Sequence, residues 1–181
     1  MFVIASLMVS SAAQLKPNEA ISKQIKALRI EKTFSLSYDQ ISNVSKLMAV
    51  TGNFTDRDAG RIGAQAMNFA IGFMYVGQSL AKAPDNMILT FWVLTKRPRF
   101  AANHNLFVFG SQTSLDLGTA RYVSRLRDNM EYLNFEISRE NIAKIVSQPD
   151  ANVKLGEFEI NFTREQIRNL SDLLTLSDPT K

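Results

Sequence analysis

The sequence contains no cysteine and a single histidine, His104, in 181 residues. The first absence removes disulfides, thiolate metal sites and cysteine nucleophiles. The second removes any zinc site built from several histidines of one chain. No apolar run is long enough to cross a bilayer as a helix, so no permanent membrane span is expected. Glycines number eight, and Gly60, Gly63, Gly72 and Gly77 follow neither the phosphate-loop nor the dinucleotide spacing. There is no Gly-x-Ser-x-Gly elbow either. Neither a cofactor, a resident metal nor a catalytic residue is implied.

What remains is an ordinary globular composition, 45% hydrophobic and 21% charged, long enough to bury a core without staples. The formal charge of +4 is mildly basic. Its charges are interspersed, so the bulk value says little about partners.

Residues 1–13 (MFVIASLMVSSAA) carry no charge, and an apolar run is followed by the small residues Ser11, Ala12 and Ala13. This pattern reads as a signal-peptide-like segment, implying export to the periplasm or beyond. It departs from the usual signal in having no Lys or Arg ahead of the apolar run. With no cysteine after it, a lipoprotein anchor is not expected. Residues 14–32 are read as an N-terminal helix and linker, with Ile21, Ile25 and Leu28 on one face of a helix over 17–28. Residues 33–181 are read as a single β-rich α+β domain.

Strand signals begin where Phe34, Leu36 and Tyr38 alternate with polar residues, and residues 46–50 can form a second strand. Residues 51–65 read as a polar loop able to carry a helical turn. Over residues 67–76, Met67, Phe69, Ile71, Phe73 and Tyr75 share one face. Residues 87–94 are apolar on both faces, which predicts cover on both sides. Residues 106–109 and 114–117 flank a turn region and predict a hairpin.

Two later hairpins can be taken to register, because a one-residue slip turns the core face outward. Placing Tyr122 and Leu126 on the same side as Leu133, Phe135 and Ile137 pairs Tyr122 with Phe135. Asp128 and Asn129 then form a two-residue turn. The same test pairs Leu155 with Phe158 and Val153 with Ile160, leaving Gly156-Glu157 as the turn. Ser138 can cap a helix over 139–146, with Ile142, Ile145 and Val146 inward. Thr163 and Gln166 make a capping box ahead of a stripe of Ile167, Leu170, Leu173 and Leu174. The fold class is therefore α+β. A mostly antiparallel sheet or sandwich-like core is joined by a short N-terminal helix and two C-terminal helices separated by a hairpin.

Several of these pieces are Tyr38-Asp39, the 89–94 strand, the 106–117 segment and Leu155-Gly156-Glu157-Phe158-Glu159 ahead of Thr163-Arg164-Glu165-Gln166. On them the chain resembles a loose group of exported bacterial β-rich proteins without an established activity. The resemblance implies the same fold and export and leaves the activity open.

Among candidate sites, Arg121, Arg125 and Arg127 would share the outward face of one strand, roughly 7 Å apart per two-residue step. Such a row could engage an anion or polyanion. Pairing across the strands, with Glu136 opposite Arg121 and Tyr132 opposite Arg125, is the favoured reading of the row. Lys96, Arg97 and Arg99 form a second basic group around Pro98. His104 has no partner legible in sequence, and a surface or strand-capping role suits it better than general-base chemistry. Asp56 and Asp58 suggest a calcium loop but lack its twelfth-position glutamate. Asp39, Asp56, Asp85 and Asp116 are carboxylates that could act in pairs.

The leading expectation is a non-catalytic exported envelope protein that binds a partner protein or a surface polymer through its sheet. The alternatives are a carboxylate-dependent hydrolase of envelope carbohydrate and a polyanion binder using the arginine row. A nucleic-acid partner is disfavoured by the export signal.

Overall fold

Alternation decides which side of each strand meets the core, and the computed structural model follows it closely. The structure describes residues 19–54, 56–110, 114–148 and 150–180. The signal-peptide-like segment 1–13 lies outside the described residues. The first strands are β1 (Phe34–Asp39) and β2 (Val44–Asn53), paired antiparallel with Phe34 opposite Ala49. β3 (Ala66–Val76) and β4 (Asn86–Leu94) continue the sheet, which β8 (Met130–Ser138) and β7 (Arg121–Arg125) complete. Its order is β1-β2-β3-β4-β8-β7. A second sheet has the order β10-β9-β5-β6, from β5 (Asn105–Phe109), β6 (Ser114–Thr119), β9 (Asn152–Leu155) and β10 (Phe158–Asn161). The strand pairs are antiparallel in both sheets.

The inner face of the six-stranded sheet is as its apolar alternation predicts. Met67, Phe69, Ile71 and Phe73 of β3 and Met87, Leu89, Phe91 and Val93 of β4 are fully buried. Phe69 packs on Phe91 at 5.1 Å and on Phe162 at 5.4 Å between ring centroids. Phe162 opens the turn into α4 (Arg164–Leu176), which packs against β2 and β3. α3 (Arg139–Val146) packs against α4 and β8. Both start signals act as expected. The Ser138 hydroxyl accepts from Asn141 N, and Thr163 and Gln166 exchange both bonds of a capping box. α1 (Glu19–Leu28) buries Ile21 and Ile25.

The 153–160 hairpin has the predicted register, Leu155 opposite Phe158 and Val153 opposite Ile160. Gly156 sits at φ +60 in the turn, and a Cβ there would come within 2.6 Å of the Asn103 carbonyl oxygen. Conformation and space both call for glycine.

Four expectations are corrected. The β7–β8 hairpin pairs Tyr122 with Leu133 rather than Phe135, and Arg121 with Asn134 rather than Glu136. Its connection is a 3₁₀ turn, Leu126–Asp128, followed by Asn129 at φ +54, not a two-residue turn. The reason lies in the Tyr122 hydroxyl, which donates to Glu131 at 2.9 Å. The expected register would set Glu131 opposite Leu126, beyond its reach. Second, the polar 51–65 stretch carries a full helix, α2 (Asp56–Ile62), which packs against β3 and β10. Third, Ile88, Trp92 and Leu94 on the second face of β4 are half-buried rather than fully buried. Fourth, two helix faces match the expected ones only in part, with Ile21, Ile25, Leu170 and Leu173 buried. In α4, Gln166, Asn169 and Leu176 are buried with Leu170 and Leu173, while Ile167 and Leu174 are half-buried. In α1, Leu28 is exposed.

Candidate functional site

Because α3, α4 and the second sheet occupy the inner side, the outer face of the six-stranded sheet presents its alternate side chains outward. At the β2–β3 end this face is apolar. Val50 is 57% exposed, Met74 51% and Val76 76%, which sets them with the turn residue Ile41 among the most exposed large hydrophobics described. Between them, Met48 stands opposite Gly72, and its Sδ occupies the space a Cβ on Gly72 would need. Lys46, opposite Met74, is the basic residue of this end.

Toward β7 the face changes character. Trp92 of β4 stands directly opposite Tyr132 of β8, with Asn68 of β3 on its other side and Val123 of β7 beyond Tyr132. Thr90 Oγ1 donates to Asn134 Oδ1 at 2.9 Å in the neighbouring row. The Arg125 guanidinium lies 5.3 Å from the centroid of the Tyr132 ring. The expected arginine–ring contact thus forms, but diagonally, since Tyr132 pairs with Val123. Arg121 and Arg125 are exposed on β7, whereas Arg127 has left the strand for the 3₁₀ turn. The predicted row of three is a row of two plus a turn residue.

The second basic group meets this corner. Lys96 and Arg125 line one small cavity of ≈ 20 Å³ with Thr95, Ser124, Met130 and Glu131. That is room for about one water. Lys96, Arg97, Arg121, Arg125 and Arg127 are all exposed, and none forms an ion pair among the described residues. Arg99 is placed differently, its guanidinium lying against Gly63.

Glu131 holds this corner together. It is the one charged residue among the buried side chains described, at 1% exposure. Its carboxylate accepts from Arg99 N (2.9 Å), Phe100 N (2.9 Å), Thr95 Oγ1 (3.0 Å) and Tyr122 Oη (2.9 Å). Four donors replace the water a buried carboxylate loses. Burial holds the Tyr122 phenol above its usual value, and the Glu131 carboxylate beside it adds to the shift. His104 stacks on Tyr122 at 5.4 Å, and its Nδ1 lies 3.0 Å from the Phe100 carbonyl oxygen. In the neutral ring the proton therefore sits on Nδ1. Sequence reasoning missed Glu131. Its signal was parity, because it shares the inward face with Leu133, Phe135 and Ile137.

The other candidates stay apart. Asp39 closes a turn after β1 by accepting from Ile41 N and Ser42 Oγ; the Ser42 bond is the main cause holding its carboxyl below the usual value. Asp85, ahead of β4, pairs with Lys82 at 3.1 Å. Asp116, on the second sheet, accepts from Gly118 N. The Asp56–Asp58 stretch folds into α2, so its backbone is helix and not a calcium loop. Among the described residues no group of three or more His, Asp or Glu could hold a metal ion. No described helix is long and apolar enough to cross a membrane.

The architecture is that of an α+β protein with two antiparallel sheets. No protein-family model, curated protein or solved structure matches this chain.

Proposed function

We propose that this is a non-catalytic binding protein, exported from the cytoplasm, that seats a partner protein on the β2–β3 end of its outer sheet face. The observation carrying this reading is the exposure of Val50, Met74 and Val76 on neighbouring strands with no described element over them. Contiguous apolar surface left open to water marks interaction sites. Between these side chains Ala70 is buried and Met48 fills the space over Gly72, so the exposed groups stand on a packed surface. The uncharged 1–13 segment and the resemblance to exported β-rich proteins support the export half.

The test compares capture from an envelope extract by wild type, by Val50→Asp/Met74→Asp and by Lys82→Ala, all at matched melting temperature. The expected result is one partner retained by wild type and Lys82→Ala and lost by the double variant. Equal capture by all three overturns the reading, as does light scattering showing that a second copy of the chain covers the face. Export is checked by N-terminal sequencing of the mature protein, expected to begin near Gln14. An unprocessed cytoplasmic chain contradicts it.

A further inference from the structure

We infer that the opposite, basic end of the outer face binds an acidic polysaccharide. Two stretches far apart in sequence, 96–97 and 121–127, bring five exposed cations to this end. None of the five has an ionic partner among the described residues. Lys96 and Arg125 border the same cavity.

The cations are not carried on a loose loop. Glu131 fastens the backbone at Arg99 and Phe100 to β8, and its bond from Tyr122 fastens β7 to the same point. The hydrogen bonds hold the Glu131 side chain inward, while Lys96 and Arg125 beside it are exposed.

Beside the cations lie two partly exposed aromatic side chains, one of them, Tyr132, already in contact with Arg125. Trp92 and Tyr132 are cross-strand neighbours on the outer face, a placement that sets their Cβ atoms about 5 Å apart. Aromatic rings offer an apolar face to the C–H side of a pyranose. Asn68, Thr90 and Asn134 around them supply amide and hydroxyl groups for its hydroxyls.

Charge spacing favours a glycan over a nucleic acid. A nucleic-acid strand carries one phosphate about every 3.4 Å along its axis. Arg121 and Arg125 are four residues of strand apart, about 13 Å, with apolar Val123 between them. A polymer alternating acidic and neutral sugars is the sparser match.

The chain's single tryptophan is Trp92, so its fluorescence reports on this surface alone. Titrating the full chain with hyaluronate should change that emission saturably, while neutral dextran should not. Arg121→Ala/Arg125→Ala should weaken binding roughly tenfold or more and flatten its salt dependence. Lys82→Ala should match wild type. The proposal is overturned if hyaluronate produces no saturable change, if the double variant binds as wild type does, or if an oligothymidine binds more tightly than hyaluronate.

Discussion

The Tyr122 hydroxyl donates a 2.9 Å hydrogen bond to the buried Glu131 carboxylate, and the register of the β7–β8 hairpin follows from that pair. Hydrophobic parity alone leaves the register open, because a shift of two residues keeps every side chain on its face. The polar contact selects one of the permitted alignments. It also stitches the edge strand β7 to the connection after β4, through Thr95, Arg99 and Phe100.

Removing the acceptor should therefore unsettle more than one strand. Glu131→Ala leaves four donors without their partner and should cost about 3 kcal/mol in urea unfolding. Glu131→Gln keeps the shape but turns an amide N–H toward donors, and should cost about 1–2 kcal/mol. Tyr122→Phe should lose about 1 kcal/mol, and much less in the Glu131→Gln background. Equal losses in both backgrounds would show that the pair is not coupled.

Gly72 makes a different demand on the same sheet. Its Cβ position is filled by the Leu47 carbonyl oxygen and Met48 Sδ, with Met48 Cα at 3.1 Å. The thioether can swing aside, but a backbone carbonyl in mid-sheet cannot. Gly72→Ala should cost about 2–3 kcal/mol, seen as a drop of roughly 5–10 °C in melting temperature. A loss below about 1 kcal/mol would mean that β2 and β3 separate freely at this row.

How much was legible in the sequence depends on the range of the interaction. Ser138 and Thr163 were readable as helix starts because a cap and its N–H partner lie within three residues. The 153–160 hairpin was readable because parity and a turn glycine agree. The β7–β8 loop was not, since its register is decided by Glu131. The convergence of Lys96 with Arg125 was hidden too, because it depends on the β4-β8-β7 strand order, in which residues distant in sequence, such as Trp92 and Tyr132, become neighbours. The partial burial of the outer face of β4 was hidden for the same reason. A strand apolar on both sides looks doubly covered until the sheet shows which side the helices take.

The last prediction concerns α4, whose buried face carries polar side chains that an apolar stripe would not. Asp172 lies between that face and solvent, 17% exposed, with Arg168 Nε 3.9 Å from its Oδ2 and no hydrogen bond to that oxygen. Burial raises its carboxyl above the ordinary aspartate value, outweighing the lowering by Arg168. A carboxyl raised on folding holds its proton more tightly in the native state than in the unfolded chain. Its contribution is thus most favourable at pH below the ordinary aspartate value and is lost as pH rises through the raised one. At neutral pH the charged form is a net penalty. Asp172→Asn should therefore raise the melting temperature by roughly 1–3 °C at pH 7, and the gain should vanish below the ordinary aspartate range. A variant less stable than wild type at pH 7, or equally stabilised at pH 3 and pH 7, would show that Arg168 governs this carboxylate rather than its burial against α4.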